Sequence, residues 1–289
     1  MDTQHPLPPQ SFAELVQLQP RDGLYQGVCG QANLSGNVFG GQLMSQAFYA
    51  AATQIETTRA LRSIHASFLR PHPLTPPPRY RIEPTLQGRT FSNLEVQVQL
   101  QNQACLRASL CFQYPEEGAS HAQPFPDAPG PDGLPDLVEL AEHYRERLSE
   151  GMVRVLGRTQ LHELRPVDSE AFLFCQGRGT RLRYWMRSRL PVADDPRLHE
   201  AALIFMSDAW VNSPMVLPHV DERLSRKFFA PTLSHALWFH ETPNVNRWLL
   251  FDLQSPALRG GAGLVSGDIY DQQGTLVASV AQHSLFRQS

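Results

Sequence analysis

Apolar and polar residues alternate along several stretches in the first half of the chain. Every second residue is apolar in SNLEVQVQLQ, and a period of two is typical of a β-strand with one buried and one solvated face. Three nearby segments, SIHASFLRP, RYRIEPTLQ and CLRASLCFQY, are also rich in strand-forming residues. The pattern therefore predicts an antiparallel sheet between about residues 63 and 114.

A helix is predicted before these strands. Gly40 and Gly41 form a turn signal and are followed by QLMSQAFYAAATQIE, which is rich in small residues and good helix formers. The second half has the same order, with a helix predicted from about Arg197 to Val211. The strands predicted after it are PTLSHALWFHE, WLLFDLQS, AGLVSGDIYD and TLVASVAQHSLF.

Short matches at one offset indicate that the two halves are duplicates. His65-Ala66 lies 170 positions before His235-Ala236, and Leu106-x-Ala-Ser lies 170 positions before the second copy of that pattern. A repeat of this length is a duplicated domain rather than a solenoid unit. We therefore predict an α+β chain of two tandem hot-dog units, each an antiparallel sheet curled around a central helix.

The predicted boundary between the halves is rich in proline and glycine. The segment 114–136, YPEEGASHAQPFPDAPGPDGLPD, cannot continue a strand or a helix. The apolar residues of LVELAEHYRERLSEG then recur at helical spacing. We predict an N-terminal hot-dog unit over residues 1–113, a Pro-rich linker with a short helix over 114–150, and a C-terminal hot-dog unit over 151–289.

Composition narrows the classes of partner. The formal net charge of the 289 residues is -3 and the charged residues are scattered singly, which argues against nucleic acid and favours a small ligand. The four cysteines form no CxxC pair and lie at no zinc-finger spacing from histidine, so no metal is expected. The first residues lack a secretory signal and no apolar run approaches the ~18 residues of a membrane helix. We therefore expect a cytoplasmic protein with free thiols and no membrane partner.

Each residue of the second half can be compared with the residue 170 positions earlier in the first half. Three polar residues of the second half differ in type from that earlier residue. Asp208 then corresponds to Val38, Thr232 to Arg62, and Gln282 to Phe112. Residues needed only for folding should resemble their counterparts, whereas residues of a site need not. We therefore treat Asp208, Thr232 and Gln282 as the candidate site.

Each of the three also has a purely structural interpretation. Helical phase places Asp208 at the margin of an apolar stripe, where an unpaired carboxylate is costly to bury, but it could cap a backbone group. Thr232 is an ordinary residue at the start of a strand. Gln282 shares a strand face with apolar residues, and its amide could simply pair at a sheet edge.

The three together meet the needs of non-covalent hydrolysis. A carboxylate can accept a proton from water, and two neutral polar groups can hold that water in line with a carbonyl carbon. The Gly40-Gly41 turn is one candidate source of backbone N–H groups for the carbonyl oxygen. The chain contains no G-x-S-x-G motif, so a covalent serine route has less support. The repeat places His65 and His235 at equivalent positions, which favours a shared packing role over catalysis.

Several segments in the same order resemble the type II acyl-CoA thioesterases, which are double hot dogs. They are VFGGQLMSQAFYAA, HASFLRP, the linker PDAPGPDGLPD, FMSD and TLSHALWFH, and the resemblance covers essentially the whole chain. It implies that Asp208, Thr232 and Gln282 activate the water, with His65 as a candidate contributor. It also implies hydrolysis of fatty acyl-CoA to fatty acid and CoA, no metal or organic cofactor, and a homo-oligomer, either a dimer or a tetramer.

Two other functions remain open at this point. A non-catalytic acyl-CoA-binding module would keep the apolar slot without turnover, although the complete trio argues against it. An enoyl-CoA hydratase or dehydratase on the same fold would need a closely spaced Asp/His pair. In SDAWVNSPMVLPH that spacing is loose, since His219 follows Asp208 by eleven residues.

Overall fold

The protein folds into two compact units. The computed structural model describes residues 9–28, 30, 32–157, 161–174, 179–219 and 228–288. Unit 1 is formed by the described parts of Met1–Gly118 and Leu190–Asp208, and unit 2 by those of Ala119–Arg189 and Ala209–Ser289. The predicted domain boundaries at residues 113 and 150 stay a prediction, because these units are defined by packing alone.

Helices and strands alternate along the chain. The helices are α1 (Phe12–Val16), α2 (Gly40–Ala52), α3 (Leu137–His143), α4 (Glu150–Leu156), α5 (Ser169–Phe174), α6 (Pro196–Ser207) and α7 (Ser213–Val216), the last followed by a 3₁₀ turn at Leu217–His219. The strands of the first half are β1 (Leu18–Arg21), β2 (Leu24–Gly27), β3 (Ala60–Phe68), β4 (Arg79–Gln87), β5 (Phe91–Leu100) and β6 (Gln103–Gln113). Those that follow are β7 (His162–Pro166), β8 (Arg181–Ser188), β9 (Phe228–Phe229), β10 (Thr232–Phe239), β11 (Leu249–Arg259), β12 (Ala262–Asp271), β13 (Leu276–Leu285) and β14 (Arg287–Gln288).

In unit 1 the strands are ordered β1–β2–β4–β5–β6–β3, each antiparallel to its neighbours. The alternating strand β5 buries Leu94, Val96 and Val98, as the period of two predicts. Helix α2 lies on this buried face, where Phe48 stacks on Phe112 of β6 with ring centroids 6.1 Å apart. The unit is therefore a helix packed on an antiparallel sheet.

Helix α6 also belongs to unit 1, where it packs against α2. Small residues let the two backbones approach, since the Ser45 hydroxyl donates to the carbonyl of Ala201 at 2.7 Å. A Cβ built on Gly41 would lie 2.5 Å from the backbone oxygen of Phe205, closer than real atoms come. Only glycine fits there without moving α6, so Gly41 is required by the packing of the two helices.

Glu200 lies buried in α6 and makes the stability of the protein depend on pH. Burial raises the pKa of its carboxyl from 4.5 to about 7, although the backbone N–H of Leu61 bonds to it and lowers that pKa. The folded state holds the proton of Glu200 more tightly than the unfolded state does, so the protonated side chain stabilises the fold. This stabilisation is complete below pH 4.5 and is lost as the pH rises through 7. We expect Glu200→Gln to unfold at a temperature a few °C higher than wild type at pH 8 and at a similar temperature at pH 5. Thermal melts of both proteins at both pH values check this, and equal melting temperatures at pH 8 would contradict it.

In unit 2 the strands are ordered β10–β13–β12–β11–β8–β7, again antiparallel, and β9 pairs separately with β14. The Pro-rich segment contains no helix or strand between β6 and α3, as its composition predicts. From residue 119 it packs onto unit 2, where Phe125 contacts the cluster of Trp185, Trp248 and Tyr270. The indole N–H of Trp185 donates to the carbonyl of Pro129 at 2.8 Å. The segment therefore contributes to the core of unit 2.

The sheets of the two units repeat the same strand pairing at an offset different from the predicted one. Strands β5 and β12 are both ten residues long, and their first residues, Phe91 and Ala262, are 171 positions apart. A β-bulge follows Leu61 in β3 and Thr232 in β10, again 171 positions apart. The last strands, β6 and β13, correspond at 172 because the turn before β13 is longer. The offset of 170 predicted from the short matches is therefore wrong.

Helices α2 and α6 correspond at an offset about 15 residues smaller than that of the strands. Their first residues, Gly40 and Pro196, are 156 positions apart, and their last, Ala52 and Ser207, are 155 apart. Asp208, which directly follows α6, therefore corresponds to the end of α2 rather than to Val38, which precedes that helix. The predicted pairing of Asp208 with Val38 is wrong because additional chain, which includes α7, separates α6 from β10.

Candidate active site

Asp208 lies where α6 ends and faces the first turn of α2. It is the C-cap residue of α6 and is partly buried. A Cβ built on Gly40 would lie 2.7 Å from the Oδ2 atom of Asp208, and one on Gly41 would lie 3.2 Å from its Cβ atom. The two glycines therefore leave the space that the Asp208 side chain occupies.

The start of α2 is a suitable environment for a negative charge. Its N-cap residue, Phe39, makes no side-chain hydrogen bond to the helix. The first N–H groups of a helix lack intrahelical acceptors and carry a partial positive charge. The Asp208 side chain therefore lies beside a helix end at which a carboxylate is electrostatically stabilised.

Four polar side chains of unit 2 lie on one face of the β10–β13 pair, and we call Thr232, His235, Gln282 and Ser284 the polar quartet. Thr232 is directly opposite Ser284, and His235 is directly opposite Gln282. Opposed residues of antiparallel strands have their side chains on the same face, and residues two apart share it as well. His235, Gln282 and Ser284 are buried, whereas Thr232 is partly exposed. Thr232 and Gln282 are thus brought together as diagonal neighbours.

The buried members of the polar quartet form one chain of hydrogen bonds. The Nδ1 atom of His235 lies 2.7 Å from the Oε1 atom of Gln282, and the Nε2 atom of Gln282 donates to the Ser284 hydroxyl at 3.2 Å. Burial lowers the pKa of His235 to about 4, and its bond to Gln282 opposes the shift. The imidazole is therefore neutral at physiological pH. Its Nδ1 must carry the proton, since the amide oxygen can only accept.

The equivalent face of unit 1 is apolar. At the offsets of 171 and 172 the counterparts of the polar quartet are Leu61, Ile64, Leu110 and Phe112, which we call the apolar quartet and which are all buried. Its pairing is the same, with Leu61 opposite Phe112 and Ile64 opposite Leu110. Burying polar groups in place of hydrophobic ones costs free energy that hydrogen bonds only partly recover. The polar quartet is therefore a candidate functional site.

This alignment corrects two predicted correspondences. Thr232 corresponds to Leu61 rather than Arg62, and Gln282 to Leu110 rather than Phe112, as the register of the strands requires. The contrast between polar and apolar residues that selected Thr232 and Gln282 holds with the corrected partners.

The predicted equivalence of His65 and His235 is wrong. A shift of one residue moves a side chain to the opposite face of a strand, and His65 is exposed whereas His235 is buried. His65 is opposite Ser109 in β3–β6 and lies outside the apolar quartet. Its participation in catalysis stays a prediction.

Sequence reasoning missed two functional candidates, His235 and Ser284. Ser284 lies two residues after Gln282, so the same strand periodicity that singles out Gln282 also selects it. The mistaken equivalence with His65 concealed His235. Asp208 lies in unit 1 and the polar quartet in unit 2, so the convergence of Asp208, Thr232 and Gln282 on one water stays a prediction.

The described residues give little support to a thiol or metal site. Burial raises the pKa of the Cys105 and Cys111 thiols, which disfavours the nucleophilic thiolate. Cys29 and Cys175 lie outside the described residues. Within the described ranges, no three His, Cys, Asp or Glu side chains are grouped so as to hold a metal ion, and no helix is long and apolar enough to cross a membrane.

Comparison with known proteins gives concordant matches over both halves. The family model for the acyl-CoA thioesterase N-terminal domain matches residues 30–113, and the model for the C-terminal domain matches residues 119–286. Acyl-CoA thioesterase 2 of Haemophilus influenzae is 30% identical over 86% of this chain and 87% of its own length.

Two solved structures have the same fold. The acyl-CoA thioesterase II TesB2 of Mycobacterium marinum is 28% identical, with a TM-score of 0.78 over 96% of this chain and 99% of that one. A protein of Alicyclobacillus acidocaldarius, described as having a hot dog fold, is 19% identical, with a TM-score of 0.76 over 96% and 97% of the two chains. The predicted α+β hot-dog fold is confirmed.

Proposed function

The chain belongs to the acyl-CoA thioesterase family and hydrolyses acyl-CoA thioesters, and from this premise we propose that Asp208 activates the reacting water while Thr232 and Gln282 hold it. The family membership decides against a non-catalytic binding module and against a dehydratase.

The three side chains match the hydrogen-bond donors and acceptors of a single water molecule. The water donates one hydrogen to the Asp208 carboxylate and the other to the hydroxyl oxygen of Thr232. Its oxygen accepts a hydrogen from the Nε2 atom of Gln282, which has two hydrogens and gives one to Ser284. One lone pair of the water then remains and can attack the thioester carbonyl carbon.

Hydrolysis then proceeds without a covalent enzyme intermediate. As the water oxygen bonds to the carbonyl carbon, Asp208 takes a proton from the water and becomes a carboxylic acid. The tetrahedral intermediate collapses with cleavage of the carbon–sulfur bond, and the proton held by Asp208 passes to the departing CoA sulfur. The products are a carboxylic acid and the CoA thiol, and the Asp208 carboxylate is regenerated.

One observation carries this proposal, namely the replacement of the apolar quartet by the polar quartet at the same pairing positions. The polar side chains are retained on a buried face where unit 1 folds with Leu, Ile and Phe. A sheet that served only to support the fold would gain stability from apolar residues there. The polar face is therefore best explained by a reaction that needs it.

The finer substrate and the assembly are also part of the proposal. We propose a fatty acyl chain as the acyl group and a homo-oligomer of the double unit, as the family resemblance implies. We also propose a cytoplasmic location, as expected from the sequence. Assay of the purified protein against acyl-CoAs of graded chain length, with a thiol-reactive dye to detect CoA, tests the substrate class. Turnover that is confined to short acyl groups would contradict a fatty acyl substrate.

The role of the Thr232 hydroxyl can be tested by paired substitutions. Thr232→Val keeps the β-branched shape but removes the acceptor, so we expect kcat to fall about tenfold from poorer orientation of the water. Thr232→Ser keeps a hydroxyl and should retain kcat within about threefold. Dye-based kinetics on both variants check this, and equal kcat values for Thr232→Val and wild type would contradict the assigned role.

A further inference from the structure

We propose that His235 and Ser284 are positioning residues that hold the Gln282 amide in one orientation, with the Nε2 end presented to the reacting water. The inference rests on the proposed function of Gln282 and extends it to two side chains that the mechanism does not otherwise use. Neither residue is assigned contact with the substrate.

The geometry defines what each partner does. A side-chain amide can rotate by half a turn and exchange its oxygen for its nitrogen with little change of shape. His235 donates from Nδ1 to Oε1 at 2.7 Å, and Ser284 accepts from Nε2 at 3.2 Å. In the exchanged orientation the Nδ1–H of this tautomer would face the NH₂ group, and two donors would oppose each other. With its proton on Nδ1, the imidazole therefore favours the orientation that keeps one Nε2 hydrogen for the water.

The location of these partners separates positioning from ordinary packing. His235 is directly opposite Gln282, and Ser284 is two residues along the same strand. Their counterparts Ile64 and Phe112 are apolar, as is Leu110, the counterpart of Gln282. The polar groups thus occur together in one half and are absent together from the other. This co-occurrence is expected if the imidazole and hydroxyl serve the amide.

The test combines two substitutions at His235. His235→Ile installs the residue of the apolar quartet and removes the donor, so we expect kcat to fall about 10- to 100-fold with KM changed less than about threefold. His235→Asn keeps an N–H donor near the Nδ1 position and should restore kcat to within about fivefold of wild type. A merely structural role predicts loss of thermal stability without this rescue.

A double-mutant cycle identifies the residue through which His235 acts. If His235 works only by orienting Gln282, His235→Ile should have no further effect on kcat in a Gln282→Leu background. His162→Leu is the matched control, because His162 is another buried imidazole of unit 2 but lies on β7, at the opposite end of the strand order from β10. That control should leave kcat unchanged.

The outcomes distinguish failure of this inference from failure of the proposed function. Two results would overturn the positioning role and leave the proposed function standing. In the first, His235→Ile keeps the wild-type kcat although Gln282→Leu lowers it. In the second, the reductions in kcat caused by the two substitutions multiply in the double variant. Full turnover in Gln282→Leu would overturn both. If His235→Ile does not fold, as judged by circular dichroism, Ser284→Ala tests the positioning role instead. It removes the Nε2 acceptor and should lower kcat severalfold, and an unchanged kcat would refute the inference.

Discussion

Asp208→Asn is expected to lower kcat for acyl-CoA hydrolysis by about 10²- to 10⁴-fold, the range that a general base contributes. The amide of asparagine has nearly the shape of the carboxyl but cannot take the proton from water. The site beside the first turn of α2 accepts a neutral group, so the variant should fold. Release of CoA, followed with a thiol-reactive dye, measures the effect.

Glu200→Gln is the matched control for the loss of a carboxyl from α6. Glu200 is also buried on this helix, and loss of its carboxyl should leave kcat at pH 8 within about twofold of wild type.

Single turnover of the wild-type enzyme in H₂¹⁸O tests whether Asp208 acts as a base or as a nucleophile. We expect the label in the product carboxylate at the first turnover. Label in a peptide containing Asp208 would instead show attack by the carboxylate.

Gly41→Ala is expected to damage both stability and activity. Its new Cβ would lie 2.5 Å from the backbone oxygen of Phe205 and 2.6 Å from the ring of Phe39. A backbone oxygen cannot rotate away, so α6 must move, at a cost of about 1–3 kcal/mol in the free energy of unfolding. Because Asp208 ends that helix, its displacement should also lower kcat by about 100-fold. Denaturant titration and steady-state kinetics on the same preparation measure the two effects.

Gly118→Ala is the matched control for that substitution. A Cβ built on Gly118 meets no atom within 4 Å, so both stability and kcat should remain close to wild type. If Gly41→Ala behaved like Gly118→Ala, the close approach of α2 to α6 would not be needed to place Asp208.

The long strands could be predicted from the sequence because of their strand-forming residues and, in β5, an apolar residue at every second position from Leu94 to Leu100. The four predicted strands in each half match β3–β6 and β10–β13. Strands β1, β2, β7 and β8 were not predicted. Strands β1, β2 and β7 have only four or five residues, too few for a periodicity that separates a strand from a loop. Strand β8 has eight residues, and its pairing with β7 and β11 decides its conformation.

The correspondence between the halves could not be predicted to the residue. Bulges, turn lengths and the chain between α6 and β10 each change the offset, and short identical pairs such as His-Ala arise by coincidence. Pairing register corrects them because it is set by backbone hydrogen bonds and the buried face. The contrast with apolar counterparts that selected Thr232 and Gln282 holds in the corrected register, whereas His235 could be found only from the register.

Asp208 was selected by its contrast with Val38 at the 170-residue offset, and helical phase and the family resemblance supported the choice. The assignment of Val38 as its counterpart is wrong. Partial burial at the end of α6 was predicted and is observed. Its position against Gly40 and Gly41 could not have been predicted, since that contact joins segments more than 160 residues apart in the sequence. Contacts of this kind depend on packing that local patterns do not encode.

A crystal structure of Asp208→Asn with bound acyl-CoA would test the central claim most directly. We predict one ordered water within about 3 Å of the substituted side chain at position 208, the Thr232 hydroxyl and the Nε2 atom of Gln282, aligned with the thioester carbonyl carbon. A thioester whose carbonyl carbon lies far from these three side chains, with no water shared among them, would contradict the mechanism.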